Sequence, residues 1–97
     1  MKFPKTYPLK EIAQIINCNF VGDENFPVQG MNEIHVVEKG DIVFVDHPKY
    51  YDKALQSAAT IVLINKEVEC PEGKALLISD DPFRDFNKLT KHFMPFV

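Results

Sequence analysis

Three short apolar runs constrain this chain more than any other feature: IVFV (Ile42 to Val45), TIVLI (Thr60 to Ile64) and KALLIS (Lys74 to Ser79). Each is too brief for a helix and rich in branched residues. None alternates apolar with polar. That is the signature of strands buried on both faces, which need helices to cover them. The residues between the first two runs supply one. Pro48 suits a first helical turn, with Asp46 or His47 as its cap, and Tyr51, Ala54, Leu55 and Ala58 form an inward stripe. Strand, helix and strand over Ile42–Ile64 make a βαβ unit, with parallel strands and a right-handed crossover. The third run ends in Asp80-Asp81-Pro82, where Asp81 can cap a helix and Pro82 opens it. That last helix carries Phe83, Phe86, Leu89, Thr90 and Phe93 on or near one face, and Pro95 ends it.

The first half is read the same way. Leu9, Ile12, Ala13, Ile15 and Ile16 form a helical stripe, with Pro8 in the first turn. A short strand follows in NCNFV, then a Gly22-Asp23 turn and a second strand from near Pro27. MNEIHVVEKGD continues extended and closes in a turn at Lys39-Gly40-Asp41. The expected fold class is α/β: a small single domain, residues 1–97, with a mixed sheet containing a βαβ unit and flanked by helices. Only the two ends and the Glu67–Gly73 loop read as weakly ordered. The stop two residues after Pro95 reads as a boundary within a longer protein.

Charge and cysteine content exclude several functions. The net charge is −3, whereas a binder of nucleic-acid phosphates needs a basic face. No apolar run approaches the length of a membrane span, and MKFPKTYPLK lacks the apolar core of a signal peptide, so the expected compartment is the cytoplasm. Cys18 and Cys70 stand far apart, outside any metal-like spacing, and read as two reduced, partly buried thiols. His35, His47 and His92 are equally scattered, so no metal and no cofactor is expected. There is no nucleophile elbow, no HExxH and no glycine-rich phosphate loop. Asp80-Asp81 is better explained by helix capping than by acid–base work, and Glu67, Glu69 and Glu72 read as solvated loop charges. The residues themselves describe a module without catalytic groups.

Phe44, His47 and Tyr50 stand at three-residue steps across the strand-to-helix turn in GDIVFVDHPKYYDKAL. Packing accounts for an aromatic in a strand and capping for a histidine before Pro48. Two features favour a site. Ligands of parallel sheets bind beyond the carboxyl ends of the strands, where strand passes to helix. Tyr50 also lies about 100° around the helix from Tyr51, which heads the inward stripe, so Tyr51 is the core residue and Tyr50 is turned off it. Two rings with a polar group between them suit a flat heterocycle.

The order and spacing of GDI-x-F-x-x-x-PKY, A-x-x-x-VLI and the late DP-F helix start, over Leu9 to Pro95, resemble the N-terminal domain of the UDP-3-O-acylglucosamine N-acyltransferases of lipid A biosynthesis. The resemblance implies a domain that binds the uracil of the UDP-sugar between Phe44 and Tyr50. The position of the family's base-reading Asn is His47, a departure: an Asn amide offers donor and acceptor side by side, and a neutral imidazole offers them on opposite sides of its ring. Lys39 replaces a Pro often found before Gly-Asp. The implied catalytic machinery is a following left-handed β-helix of hexapeptide repeats with a catalytic His. It takes a hydroxyacyl chain from acyl carrier protein and trimerises the full-length protein. None of those repeats occurs here, so the 97 residues alone are expected to be monomeric and non-catalytic. Two alternatives stand beside it. The N-terminal domain of a Mur ligase of peptidoglycan synthesis also carries a GD-x-F turn and also binds a UDP-sugar, but it usually has Ser/Thr-Arg before the turn. A structural docking module would use Phe44 as core alone.

Overall fold

The structure, a computed structural model, describes residues 1–94. The expected helix stop at Pro95 lies outside the described residues. Six strands form one sheet: β1 (Lys2–Pro8), β2 (Asn19–Val21), β3 (Pro27–Met31), β4 (Asp41–Val45), β5 (Ile61–Ile64) and β6 (Ala75–Ile78). Their order across the sheet is β1-β3-β4-β5-β6-β2. β3, β4, β5 and β6 run parallel, while β1 pairs antiparallel with β3 and β2 with β6. The sheet is therefore mixed, and the parallel βαβ unit lies at its centre, as the three apolar runs predict.

Alternation along those runs builds two cores. Ile42, Ile61, Leu63, Ala75 and Leu77 face one side, where they meet helix α1 (Leu9–Ile15) and helix α3 (Pro82–Phe93) through Leu9, Ile12 and Leu89. Val43, Val45, Val62, Ile64 and Leu76 face the other side, covered by Ala54 and Leu55 of the short helix α2 (Tyr51–Leu55). Every residue of β5 is buried, which is why the sequence shows no polar alternation there. Each such side chain contributes about 1.5–3 kcal/mol of transfer free energy.

Several expectations need correction. The N-terminus forms β1, because Phe3 is buried and stacks on Phe93 with ring centroids 3.9 Å apart. Pro8 stands at the N-cap position of α1, without a side-chain cap, and does not enter its first turn. Residues after Met31 do not stay extended: a turn covers Ile34–Val36. α2 ends at Leu55, so the helical phase never reaches Ala58. Ala58 is exposed and Ala59 is buried in its place. Lys74 fixes that early end, since its Nζ donates to the carbonyls of Leu55 and Ser57 at 2.7 and 2.6 Å. Phe83 stands at the start of α3 and is 56% exposed.

The junctions that frame β4 use polar side chains. Gly40 turns into it with φ of +94°, a conformation favouring glycine, and its N–H donates to Thr60 Oγ1 at 2.9 Å. Asp41 is buried, and its Oδ2 accepts from Glu38 N–H and from Asn32 Nδ2, both at 2.9 Å. Asn32 is thereby held at the point where the chain leaves β3. At the other junction, Asp81 Oδ1 accepts from Arg84 N–H at 3.1 Å, the expected cap with Pro82 in the first turn. Asp85, 2% exposed, accepts from Ser79 Oγ and from Arg84 Nε. These contacts fix the first turn of α3, which lies behind the end of β4.

Candidate functional site

β3 and β4 part early. Their paired residues are Gly30 with Asp41 and Met31 with Ile42, and Asn32 N–H still donates to Ile42 O at 3.1 Å. β4 continues to Val45 along β5. The β3-side edge of Val43–Val45 is therefore left beside a gap. The Ile34–Val36 turn closes the far side of that gap, which becomes a cleft of about 400 Å³.

Phe44 and Tyr50 line this cleft. Phe44 is half-buried. Its ring rests against Phe86, centroids 4.7 Å apart, and against Phe83 at 5.8 Å, so α3 supports it from behind. Tyr50 ends a 3-10 turn, Pro48–Tyr50, and is 49% exposed. Tyr51 behaves as its phase predicts: it packs into the α2-side core, and its hydroxyl donates to Asn65 Oδ1. The strand-to-helix passage thus separates the two tyrosines into a core residue and a cleft residue.

His47 is placed differently. It caps the 3-10 turn, its Nδ1 accepting from Lys49 N–H at 3.1 Å, and its ring lies edge-on to Tyr50 with centroids 6.0 Å apart. It is absent from the cleft lining. With Nδ1 used as an acceptor, the neutral ring carries its proton on Nε2 and offers a donor there. Its structural work is to hold the turn that presents Tyr50.

Sequence reasoning missed Glu33, Ile34 and His35, which form the opposite wall. The signal lay in the Gly40-Asp41 pair: a buried Asp holding Asn32 ends β3 and turns the following residues toward the cleft. The mouth also carries Asp46 and Lys53. No side chain in the cleft pairs a nucleophile with a base, and among the described residues no three or more His, Cys, Asp or Glu are grouped to hold a metal. The lining is largely apolar, with the exposed Asp46 and Lys53 beside it, and suits a small ring with polar edges.

The two thiols are free and partly buried. Burial pushes the Cys18 thiol up to about 12, and the nearby Asp85 carboxylate adds to the effect. Cys70 is also raised, again mainly by burial. Neither is an activated nucleophile. No helix among the described residues is long and apolar enough to cross a membrane.

Comparison with known proteins gives a consistent family. Residues 25–92 match the family described as UDP-3-O-(3-hydroxymyristoyl) glucosamine N-acyltransferase, LpxD. The chain is 37% identical over 82 residues to a UDP-3-O-acylglucosamine N-acyltransferase of Nitrosococcus oceani, covering 84% of this chain and 24% of that protein. It is 33% identical over 91 residues to UDP-3-O-acylglucosamine N-acyltransferase 1 of Sulfurimonas denitrificans, covering 92% of this chain and 28% of that one. A relative from Syntrophotalea carbinolica is 37% identical over 81 residues, covering 84% and 23%. The chain spans about a quarter of the length of these relatives.

Proposed function

The chain belongs to the UDP-3-O-acylglucosamine N-acyltransferase family, and from that premise we propose that it is the nucleotide-binding part of such an enzyme, seating the uridine of UDP-3-O-acylglucosamine between Phe44 and Tyr50. The observation that carries this is the cleft at the carboxyl end of β4, lined by those two aromatics from opposite sides of a strand-to-helix passage. A pyrimidine is flat and weakly hydrated on its faces, so two rings can hold it by stacking worth about 1–3 kcal/mol each. Its edges remain free for hydrogen bonds.

Residues 1–97 act as one non-catalytic domain in this proposal. Acyl transfer, from acyl carrier protein to the glucosamine nitrogen, belongs to the remainder of a protein some four times as long, as does trimerisation. The setting is cytoplasmic, where the nucleotide sugar and the carrier protein are made. His47 serves the site by capping the turn under Tyr50, and its Nε2–H can add one hydrogen bond at the rim. The family assignment favours this over the Mur ligase alternative, and the cleft favours it over a docking module without ligand.

The test is kinetic. In the full-length enzyme, Tyr50→Ala should raise KM for the UDP-sugar acceptor about tenfold or more and change kcat much less, since stacking on uracil is a binding contribution remote from the reacting amine. An unchanged KM would remove the uridine seat from this cleft.

A further inference from the structure

We propose that Asn65 is a positioning residue of the nucleotide site: its side-chain amide grips the chain on both sides of the Pro48–Tyr50 turn and so fixes where the Tyr50 ring stands. This rests on the uridine-nucleotide function proposed above and names a residue outside the cleft on which that function depends.

β4 and β5 pair in parallel as far as Val45 with Ile64. The next residues along the two strands are Asp46 and Asn65. There the strand pairing ends and the Asn65 side chain takes over: its Nδ2 donates to the Asp46 carbonyl at 3.1 Å. Its Oδ1 accepts from the Tyr51 hydroxyl. The orientation of the amide follows from chemistry. A carbonyl only accepts, so it must face the NH2 group, which leaves Oδ1 to the hydroxyl. Asp46 directly precedes His47, the cap of the turn, and Tyr51 directly follows Tyr50. One side chain at the end of β5 thus holds the residue before the cap and the residue after the turn.

The turn is also closed within itself. Lys49 N–H donates to His47 Nδ1 at 3.1 Å, and Tyr50 N–H donates to His47 O at 2.9 Å. Those bonds shape the turn but do not tie it to the sheet, since both partners lie inside it. The His47 ring, edge-on to Tyr50 with centroids 6.0 Å apart, and Lys49 Nζ, 5.7 Å from the Tyr50 centroid, belong to the same turn and move with it. Attachment to a fixed body comes through Asp46 at the end of β4 and through Tyr51, which packs into the α2-side core. Asn65 joins the two. The distance from the Tyr50 ring to Phe44 across the cleft is therefore set by where Asn65 holds the turn. A stacked ring tolerates little change in that spacing, because dispersion contact weakens steeply within an ångström. Asn65 is exposed and is not part of the cleft lining. Its effect on binding passes through Tyr50 and not through contact with the nucleotide.

The experiment is acceptor kinetics on the full-length enzyme, with Asn65→Leu made alone and together with Tyr50→Ala. Asn65→Leu removes both contacts with a side chain of the same branching. It should raise KM for the UDP-sugar acceptor about threefold or more and leave kcat within about twofold. Tyr51→Phe removes one of the two contacts and should raise KM by a smaller factor. In the Tyr50→Ala background, Asn65→Leu should change KM by less than about twofold, because the ring that the clamp positions is gone. A residue that only stabilised the fold would show no such cancellation. The proposal is overturned if Asn65→Leu alone raises KM by less than about threefold, or if its effect stays at about twofold or more without the Tyr50 ring. An unchanged KM in Tyr51→Phe overturns the two-sided clamp. If Tyr50→Ala alone leaves KM unchanged, the uridine function fails first and this inference with it, an outcome distinct from a Tyr50 effect without an Asn65 effect.

Discussion

Nδ1 of His47 accepts a hydrogen bond from the main-chain N–H of Lys49 at 3.1 Å. That single contact ties the end of β4 to the turn that presents Tyr50. It also fixes which imidazole nitrogen remains for a ligand. His47→Ala should therefore destabilise the domain by about 1 kcal/mol, the usual cost of a lost cap, and weaken UMP binding through a looser Tyr50. His47→Asn restores a capping side chain, so both stability and affinity should return close to those of the original chain. Thermal unfolding and calorimetric titration of the two variants check this together.

Asp41→Ala should be costly in a different way. The carboxylate is buried and holds Asn32 Nδ2 and Glu38 N–H. Removing it leaves two donors without partners, each worth about 1–3 kcal/mol when buried. It also frees the point where β3 departs, and with it the far wall of the cleft. Denaturant unfolding should show a loss of about 2 kcal/mol or more, and UMP affinity should fall although no cleft residue has changed.

Lys74 ends α2 by donating to the Leu55 and Ser57 carbonyls. Burial depresses its pKa, so the charged form is less favoured in the folded chain than in the unfolded one. The sign follows: the fold disfavours the extra proton, and the contribution of this group to stability rises as pH climbs through the folded and then the unfolded pKa. Lys74→Met removes both hydrogen bonds and this dependence. It should destabilise the domain by about 1–3 kcal/mol at neutral pH, with a deficit that grows as pH is raised toward the ordinary lysine range, measurable by urea titration over several pH values.

Cys18 should be the slower of the two thiols toward alkylation. Its pKa is pushed up to about 12 by burial and by Asp85, which leaves very little thiolate at pH 8. Cys70, within the Glu67–Gly73 loop, is also raised by burial, but the neighbouring Lys74 ammonium acts in the opposite direction. Mass spectrometry after timed exposure to iodoacetamide should show Cys70 modified well before Cys18 in the folded chain, and equal rates in urea.

Much of the fold could be read from the residues because the central strands are buried on both faces. Ile42–Val45, Ile61–Ile64 and Ala75–Ile78 have no polar alternation to confuse the pattern, and Asp81-Pro82 marks a helix start by its own chemistry. What escaped was decided by long-range contacts. β1 exists because Phe3 finds Phe93 some ninety residues away, and no local pattern in KFPKTYP announces that. α2 stops early because Lys74, from beyond the next strand, binds its last carbonyls. Phe83 stands three residues before Phe86, in the first turn of α3, where its ring is only partly covered by Phe44 and stays 56% exposed. The cleft was legible in one wall only. Phe44 and Tyr50 follow from strand and helix phase, whereas Glu33, Ile34 and His35 arrive through the Asn32–Asp41 contact, which is visible only once β3 and β4 are side by side.

The most direct measurement is an amide-resonance titration of the 97-residue chain with UMP at up to millimolar concentration. The uridine seat requires a single set of saturable shifts centred on Phe44, Tyr50 and Ile34, and Tyr50→Ala should weaken that binding about tenfold. No shift at these residues, or shifts centred instead on the Val68–Glu72 loop beside α2, would contradict it.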